Sequence, residues 1–390
     1  MSEVYYWIWI QEILGINTTR SEKFLALNLN PERIWNMSEK EIHDLDFFTS
    51  IELNKIKNKD IKEKAKQAYE MALGIGAEII TPYDKKYPIR LKNIYSPPLT
   101  LYVLGDLPDV DNNLSIGMVG TRKCTDYGIK AAKHITEELS ENNTIIVSGL
   151  ALGIDAVCHK TAIETGGKTI AVIGSGIDNT YPIANFELRK KILNGNGAVV
   201  SELMPGIAPI AFNFHARNRI ISAMSSGVCV VEAAERSGAL ATAAHALSQD
   251  RDVYAVPGSI FSEMSMGTNK LIQQGAIPAL SGIDILKEYE DYKNYILTEK
   301  SRLKIKTENS HDNIKKQKTQ KTSHMHINKS VPTYLNEEQK RVYNCLTDGM
   351  RTKEEISFMA DLPIEKVLTA LTQLEIFGEI KCVFGNKFTV

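Results

Sequence analysis

From residue 115 to about 280, short apolar runs rich in Val and Ile alternate with segments of helical period. The runs are Ser115–Val119, Thr144–Val147, Thr169–Ile173, Ala198–Ser201, Val228–Val231 and Asp252–Val256. Most are continuously apolar rather than alternating, the pattern of strands covered by helices on both faces. Parallel neighbours need long crossovers, and segments long enough for helices lie between the runs. The pattern predicts a doubly wound parallel α/β domain.

Outside this stretch the pattern changes. Residues 1–76 read as short helices, with an amphipathic one over Lys57–Ala72 that ends near Gly74 and Gly76. Gly15-Ile16-Asn17 has the faint look of a helix-hairpin-helix turn, but a plain turn between helices fits it better. Ala77–Thr81 and Leu99–Leu104 read as strands that open a domain spanning 77–288. Residues 289–333 lose the pattern. Between Lys300 and Lys329 there are nine Lys or Arg against two acids, the composition of a basic, disordered linker. Residues 334–390 read as a winged helix, with helices over Asn336–Leu346, Thr352–Ala360 and Ile364–Phe377. Its wing is a hairpin turning at Gly385-Asn386. The third helix offers Glu365, Lys366, Thr369, Gln373 and Glu375, a poor surface for phosphates, so protein docking fits it as well as groove reading does.

A net charge of −1 rules out a polycation, so any nucleic-acid site must be a local concentration of Lys and Arg. The cysteines Cys124, Cys158, Cys229, Cys345 and Cys382 are scattered and form no Cys-x-x-Cys pair, which predicts neither a metal site nor a disulfide framework. The apolar start, Tyr5–Ile10, is too short to span a bilayer. The expectation is a cytoplasmic protein without metal or cofactor.

In an open parallel sheet, ligands bind beyond the carboxyl ends of the strands. Here those ends carry Gly120-Thr121-Arg122-Lys123, Ser148-Gly149 through Gly153, Gly174-Ser175-Gly176, Ser237-Gly238 and Pro257-Gly258. Glycine lets backbone approach a ligand, and helix N-termini direct free N–H groups at anions. The repetition predicts an anion-binding rim. Cations fall beside it: Arg122, and then Arg217 and Arg219 in Phe214-His215-Ala216-Arg217-Asn218-Arg219, with no acid between Met204 and Val231. Arg189, Lys190 and Lys191 either extend the patch or form a solvated helix face.

The first turn lacks the Gly-x-Gly-x-x-Gly spacing of dinucleotide binders, and no phosphate loop of the Gly-x-x-x-x-Gly-Lys type occurs. Asp155 and His159 share a helix face, as a general-base pair would, or as a helix cap and a hydrogen-bonded histidine would. Glu202 and Glu232 end strands at the rim, as an acid and base or as carboxylates that position arginines. Ser148 lacks a nucleophile elbow. No enzyme is predicted.

Taken together, Val119-Gly120-Thr121-Arg122 with Thr125–Gly128, Ser148-Gly149 through Asp155 with His159, and Thr169–Gly176 with Tyr181-Pro182 and Asn185 resemble the DNA-processing protein A (DprA/Smf) family. The resemblance continues through Phe214 with Arg217–Ile221, Val231–Ala233, Ser237-Gly238 with Thr242-Ala243, Pro257-Gly258, Gly267–Asn269, Leu271-Ile272 and Gly275-Ala276. His215 stands where the family usually has proline, and Thr121 where it has serine. The resemblance implies an extended Rossmann-like domain binding single-stranded DNA without sequence preference, a homodimer, and loading of the RecA recombinase during natural transformation. It places Arg122, Arg217 and Arg219 on the DNA, with backbone help from Gly120 and Thr121. The remaining contacts would come from Lys123, Ser148, Gly149, Gly174, Ser175, Asn218, Ser237 and Gly238. Phe214 would stack on a base or pack on the sheet, and Leu271 and Ile272 would lie at the dimer contact. Two other readings stay open: a Rossmann-like nucleotide-processing enzyme similar to phosphoribohydrolases, and a winged-helix transcription regulator.

Overall fold

A computed structural model describes residues 4–289, 332, 334–347, 349, 351–377, 379–383 and 387–389. The basic segment expected as a linker falls outside these residues except at its ends, and the wing turn Gly385-Asn386 falls outside them too. Two compact units are present, Met1–Lys287 and Glu288–Val390.

The first unit is built on a nine-stranded sheet. Its strands are β1 (Glu78–Ile80), β2 (Leu101–Gly105), β3 (Ser115–Val119), β4 (Ile145–Ser148), β5 (Thr169–Val172), β6 (Gly197–Ser201), β7 (Gly227–Val230), β8 (Asp252–Ala255) and β9 (Ile277–Pro278). They lie in the order β1-β2-β6-β5-β4-β3-β7-β8-β9. From β6 to β9 every pairing is parallel, whereas β2 joins β6 and β1 joins β2 antiparallel. Every residue of β3 through β7 is buried, which explains the absence of alternation in their sequence. From β3 the chain winds outward to β6, then crosses back to add β7 and β8 on the other side. The reversal puts the switch point between β3 and β7, where the connections leave in opposite directions and open a crevice.

One face of the sheet packs on Ile220, Ile221 and Met224 at the end of helix Ala211–Ala223, and on Ala239, Ala243 and Ala246 of helix Gly238–Ser248. On the other face Ala171, Ile173 and Val199 share a core with Trp7, Trp9, Ile13 and Phe24 of the amino-terminal helices. Those helices, expected as a separate domain over 1–76, use the sheet as part of their own core. Gln11 fastens the junction. Its Oε1 accepts from the N–H groups of Leu99 and Thr100, both at 2.9 Å, and its Nε2 donates to the Glu202 carbonyl at 2.7 Å. At the Gly15–Asn17 turn the Thr18 N–H donates to Ser96 Oγ at 2.8 Å, as befits a plain interhelical turn.

The second unit has helices Glu337–Leu346, Lys353–Ala360 and Ile364–Ile376. They accompany an antiparallel sheet of β10 (Arg351–Thr352), β11 (Lys381–Val383) and β12 (Lys387–Thr389) in the order β10-β12-β11. Val342, Ile356, Val367 and Leu371 belong to its own core. Among the described residues no helix is long and apolar enough to cross a membrane.

Candidate functional site

At the switch point the carboxyl ends of β3 and β7 border a cleft of about 700 Å³. Its walls include Gly120, Thr121, Arg122 and Lys123 after β3, and Arg236, Ser237 and Gly238 after β7. Phe214, His215, Arg217 and Asn218 come from the crossover helix, and Tyr181 from beyond β5. Arg122, Lys123 and Arg236 are exposed, and among the described residues none of them pairs with a carboxylate. Arg236 is an addition to the sequence reading. Glu235, its neighbour in sequence, turns away to Lys270 at 2.9 Å and leaves it unneutralised.

Arg217 forms the floor. It is 6% exposed, and its Nη1 donates to the carbonyls of Gly149, at 2.7 Å, and Val172. Burial pulls its pKa down to about 10, against the opposing pull of Asp155, so it stays charged at neutral pH. Arg219 departs from expectation. It is 1% exposed, lies outside the cleft lining, and donates through Nη2 to Glu202 Oε1 at 2.6 Å. The expected convergence of three arginines is therefore met by Arg122 and Arg217, while Arg219 belongs to the core.

The glycine rim also differs from expectation. The Gly149 N–H donates to Asp155 Oδ2 at 3.1 Å, that of Gly176 to the Ile207 carbonyl at 2.8 Å, and that of Gly258 to Asn269 Oδ1 at 3.1 Å. These amides are occupied by the protein itself. Ser148 is buried and donates to the Met118 carbonyl, and the carbonyl of buried Ser175 accepts from Ser201. At Gly149 and Gly174 glycine is needed to make room for side chains of the cleft. A Cβ at Gly149 would sit 2.2 Å from Arg217 Nη1, and one at Gly174 would sit 2.8 Å from Phe214 Cδ1. Gly149 and Gly174 thus seat Arg217 and Phe214, and Ser148, Gly149, Gly174 and Ser175 do not line this cleft.

Glu232, Glu202, Asp155 and His159 are each engaged within the fold. Glu232 accepts from the Thr125 N–H at 2.9 Å and from Thr125 Oγ1 at 2.6 Å, which anchors the turn after β3. Glu202 holds Arg219. Asp155 caps the loop after β4, accepting from Gly149 and Ala151; burial raises its pKa, with Arg217 opposing. His159 is fully buried. The Leu150 N–H donates to its Nε2 at 3.3 Å, and its Nδ1 lies 2.7 Å from Thr169 Oγ1, which donates to the Ile146 carbonyl. The Nδ1–H tautomer satisfies every member of that chain. Among the described residues no group of three or more His, Cys, Asp or Glu is placed to hold a metal ion.

Burial and, secondarily, Arg217 pull the His159 pKa down to about 3. An unfolded histidine titrates near ~6.5. Below that pH the unfolded chain takes a proton that the folded chain refuses, so stability falls with falling pH by up to about 1.4 kcal/mol per unit. Thermal melts between about pH 7 and pH 5 should show this decline in the wild type, and a shallower one in His159→Gln. Parallel curves for the two proteins would contradict it.

Phe214 is half-buried, with the Arg122 guanidinium and the Tyr181 ring centre each 5.5 Å from its own ring centre. It packs on Gly174 while one flank lines the cleft. Arg189, considered for the patch, is instead buried and donates to the carbonyls of Asn179 and Ile177. Leu271 and Ile272 are half-buried, and Leu271 packs against the sheet core. Among the described residues from 260 to 283, Ile260, Phe261, Met266, Leu280 and Ile283 are the exposed large apolar ones. On the third helix of the second unit, Lys366 pairs with Glu338 at 2.6 Å, and Ile364 and Leu368 are exposed.

The profile of a family described as DNA recombination-mediator protein A matches residues 78–290. The DNA processing protein DprA of Streptococcus pneumoniae is 46% identical over 207 residues, 53% of this chain and 72% of that protein. The protein of the same name from Bacillus subtilis is 43% identical over 213 residues, 55% of this chain and 71% of that protein. The X-ray structure of DNA processing protein A from Streptococcus pneumoniae matches with a TM-score of 0.62 at 34% identity. The match covers 74% of this chain and 99% of that one.

Proposed function

Because this chain belongs to the DNA recombination-mediator protein A family, we propose that its cleft holds single-stranded DNA by the phosphates, without regard to base sequence. One observation carries this reading: Arg122, Lys123 and Arg236 stand exposed, without a carboxylate partner among the described residues, around a floor made by Arg217 at the switch point of the sheet. Anions are drawn to such a cleft, and a flexible strand can follow its curve where a stiff duplex cannot. Phe214 and Tyr181 add aromatic faces on which unstacked bases can rest. The family description supports a second step, in which the bound strand passes to the RecA recombinase. The reading also includes a homodimer contact around the half-buried Leu271 and Ile272, and the exposed side chains of Ile260, Phe261 and Met266 on the preceding segment are available to it.

The nucleotide-processing reading loses ground because Glu202 and Glu232, its acid and base, are bound into the fold. The regulator reading loses ground because the third helix of the second unit sets an exposed acid, Glu365, and the exposed apolar Ile364 and Leu368 around its single lysine, a poor surface for phosphates. The test is a binding titration of one labelled sequence as single strand and as duplex, beside a sizing column and an incubation with nucleoside monophosphates. The single strand is expected to bind the more tightly, to stay bound after deletion of residues 334–390, and to elute with a dimer. Base release, or duplex binding that vanishes with the deletion while no strand binding remains, would reverse the ranking.

A further inference from the structure

The segment after Tyr181 carries apolar side chains that the cleft does not use. Ile183 is 76% exposed and Phe186, which opens helix Phe186–Asn194, is 41% exposed. Between them Asn185 is buried, and its Nδ2 donates to the carbonyls of Leu150 at 2.9 Å and Ala151 at 3.1 Å. That clamp fixes the segment to the loop after β4, directly beside Arg122, Tyr181 and Phe214, which line a small recess there. One helical turn beyond Phe186, the Lys190 ammonium stands 4.3 Å from its ring centre. Lys190 also lies 3.1 Å from Glu187, but both are solvent-exposed, and a phosphate can replace so weak a partner.

We propose that Ile183, Phe186 and Lys190 form a second nucleotide subsite, continuous with the cleft through Tyr181. It takes the next base of the strand on Phe186 and Ile183, and its phosphate on Lys190. The inference rests on the reading of the cleft as a single-strand site. The chemistry of the patch selects the occupant: an aromatic ring beside an aliphatic chain offers a face to a flat base, and the adjoining cation offers charge to the backbone. A duplex keeps its bases stacked inside and cannot fill such a shelf.

Anisotropy titrations of the full chain with labelled oligothymidylates test this. A strand of about 4 nucleotides fills the cleft alone, and one of about 12 reaches the shelf. The double variant Ile183→Ser/Phe186→Ala should bind the short strand like the wild type and the long strand roughly tenfold more weakly. Phe186→Tyr should restore binding when paired with native Ile183. On a long strand without bases, wild type and double variant should bind alike. Both replacements are at exposed positions, and unchanged melting curves will show that the variant is folded. Equal affinities of wild type and double variant for the long thymidylate would overturn the subsite and leave the cleft reading intact. So would an equal loss on the short or the baseless strand. Failure of the wild type to bind any thymidylate would remove both.

Discussion

Replacing Arg122, Lys123 and Arg236 together by alanine is expected to weaken single-strand binding at least about 100-fold at low salt, since three charge-assisted contacts are lost. The salt dependence carries more information than the affinity. Each phosphate contact to a single strand contributes about 0.7 to the slope of log affinity against log salt, so the triple variant should be shallower by about 2. The loss should be the same on thymidylate, adenylate and mixed strands, because phosphates carry no base code. All three side chains are exposed and none is paired among the described residues, so the melting temperature should hardly move. Titrations at several salt concentrations read the slope directly, and an unaltered slope would dispose of the cleft as a phosphate site.

Arg219→Ala should behave in the opposite manner. The Arg219 and Glu202 side chains are 1% and 6% exposed and meet at 2.6 Å. Removing the guanidinium strands a buried carboxylate, at a cost of about 3–5 kcal/mol. For a unit of this size that corresponds to a fall of about 5–15 °C in melting temperature. Whatever remains folded should keep the wild-type salt slope, and replacing both partners by neutral side chains of similar volume should restore much of the stability. Calorimetry and binding titrations on the same preparation separate the outcomes. A variant that melts normally but loses slope would return Arg219 to the DNA.

The two arginines show what the sequence can and cannot convey. Arg122 is legible because it follows directly on a strand end, where side chains must emerge at the sheet edge. Arg217 and Arg219 both lie within the helix Ala211–Ala223. Residues two apart on a helix point about 200° from one another, so only one of this pair can face the cleft. The glycines misled for a related reason. A Gly in sequence announces that something approaches closely, but not whether it is a ligand or, as at Gly149, the protein's own guanidinium. Arg236 is not legible in the sequence, where Glu235 stands beside it, and only the fold sends that carboxylate to Lys270. The strands were the clearest signal. Their unbroken apolar runs state that both sides are covered, although not that one cover is the amino-terminal helices.

That cover has a practical corollary. Gln11 grips the backbone at Leu99, Thr100 and Glu202, and Glu202 in turn balances Arg219. A chain begun at residue 77 would strip Trp9 and its neighbours from the rear of the sheet and leave that carboxylate's own main chain without its amide brace. The span 78–290 that the family profile matches is a body whose back wall is built from the residues before it.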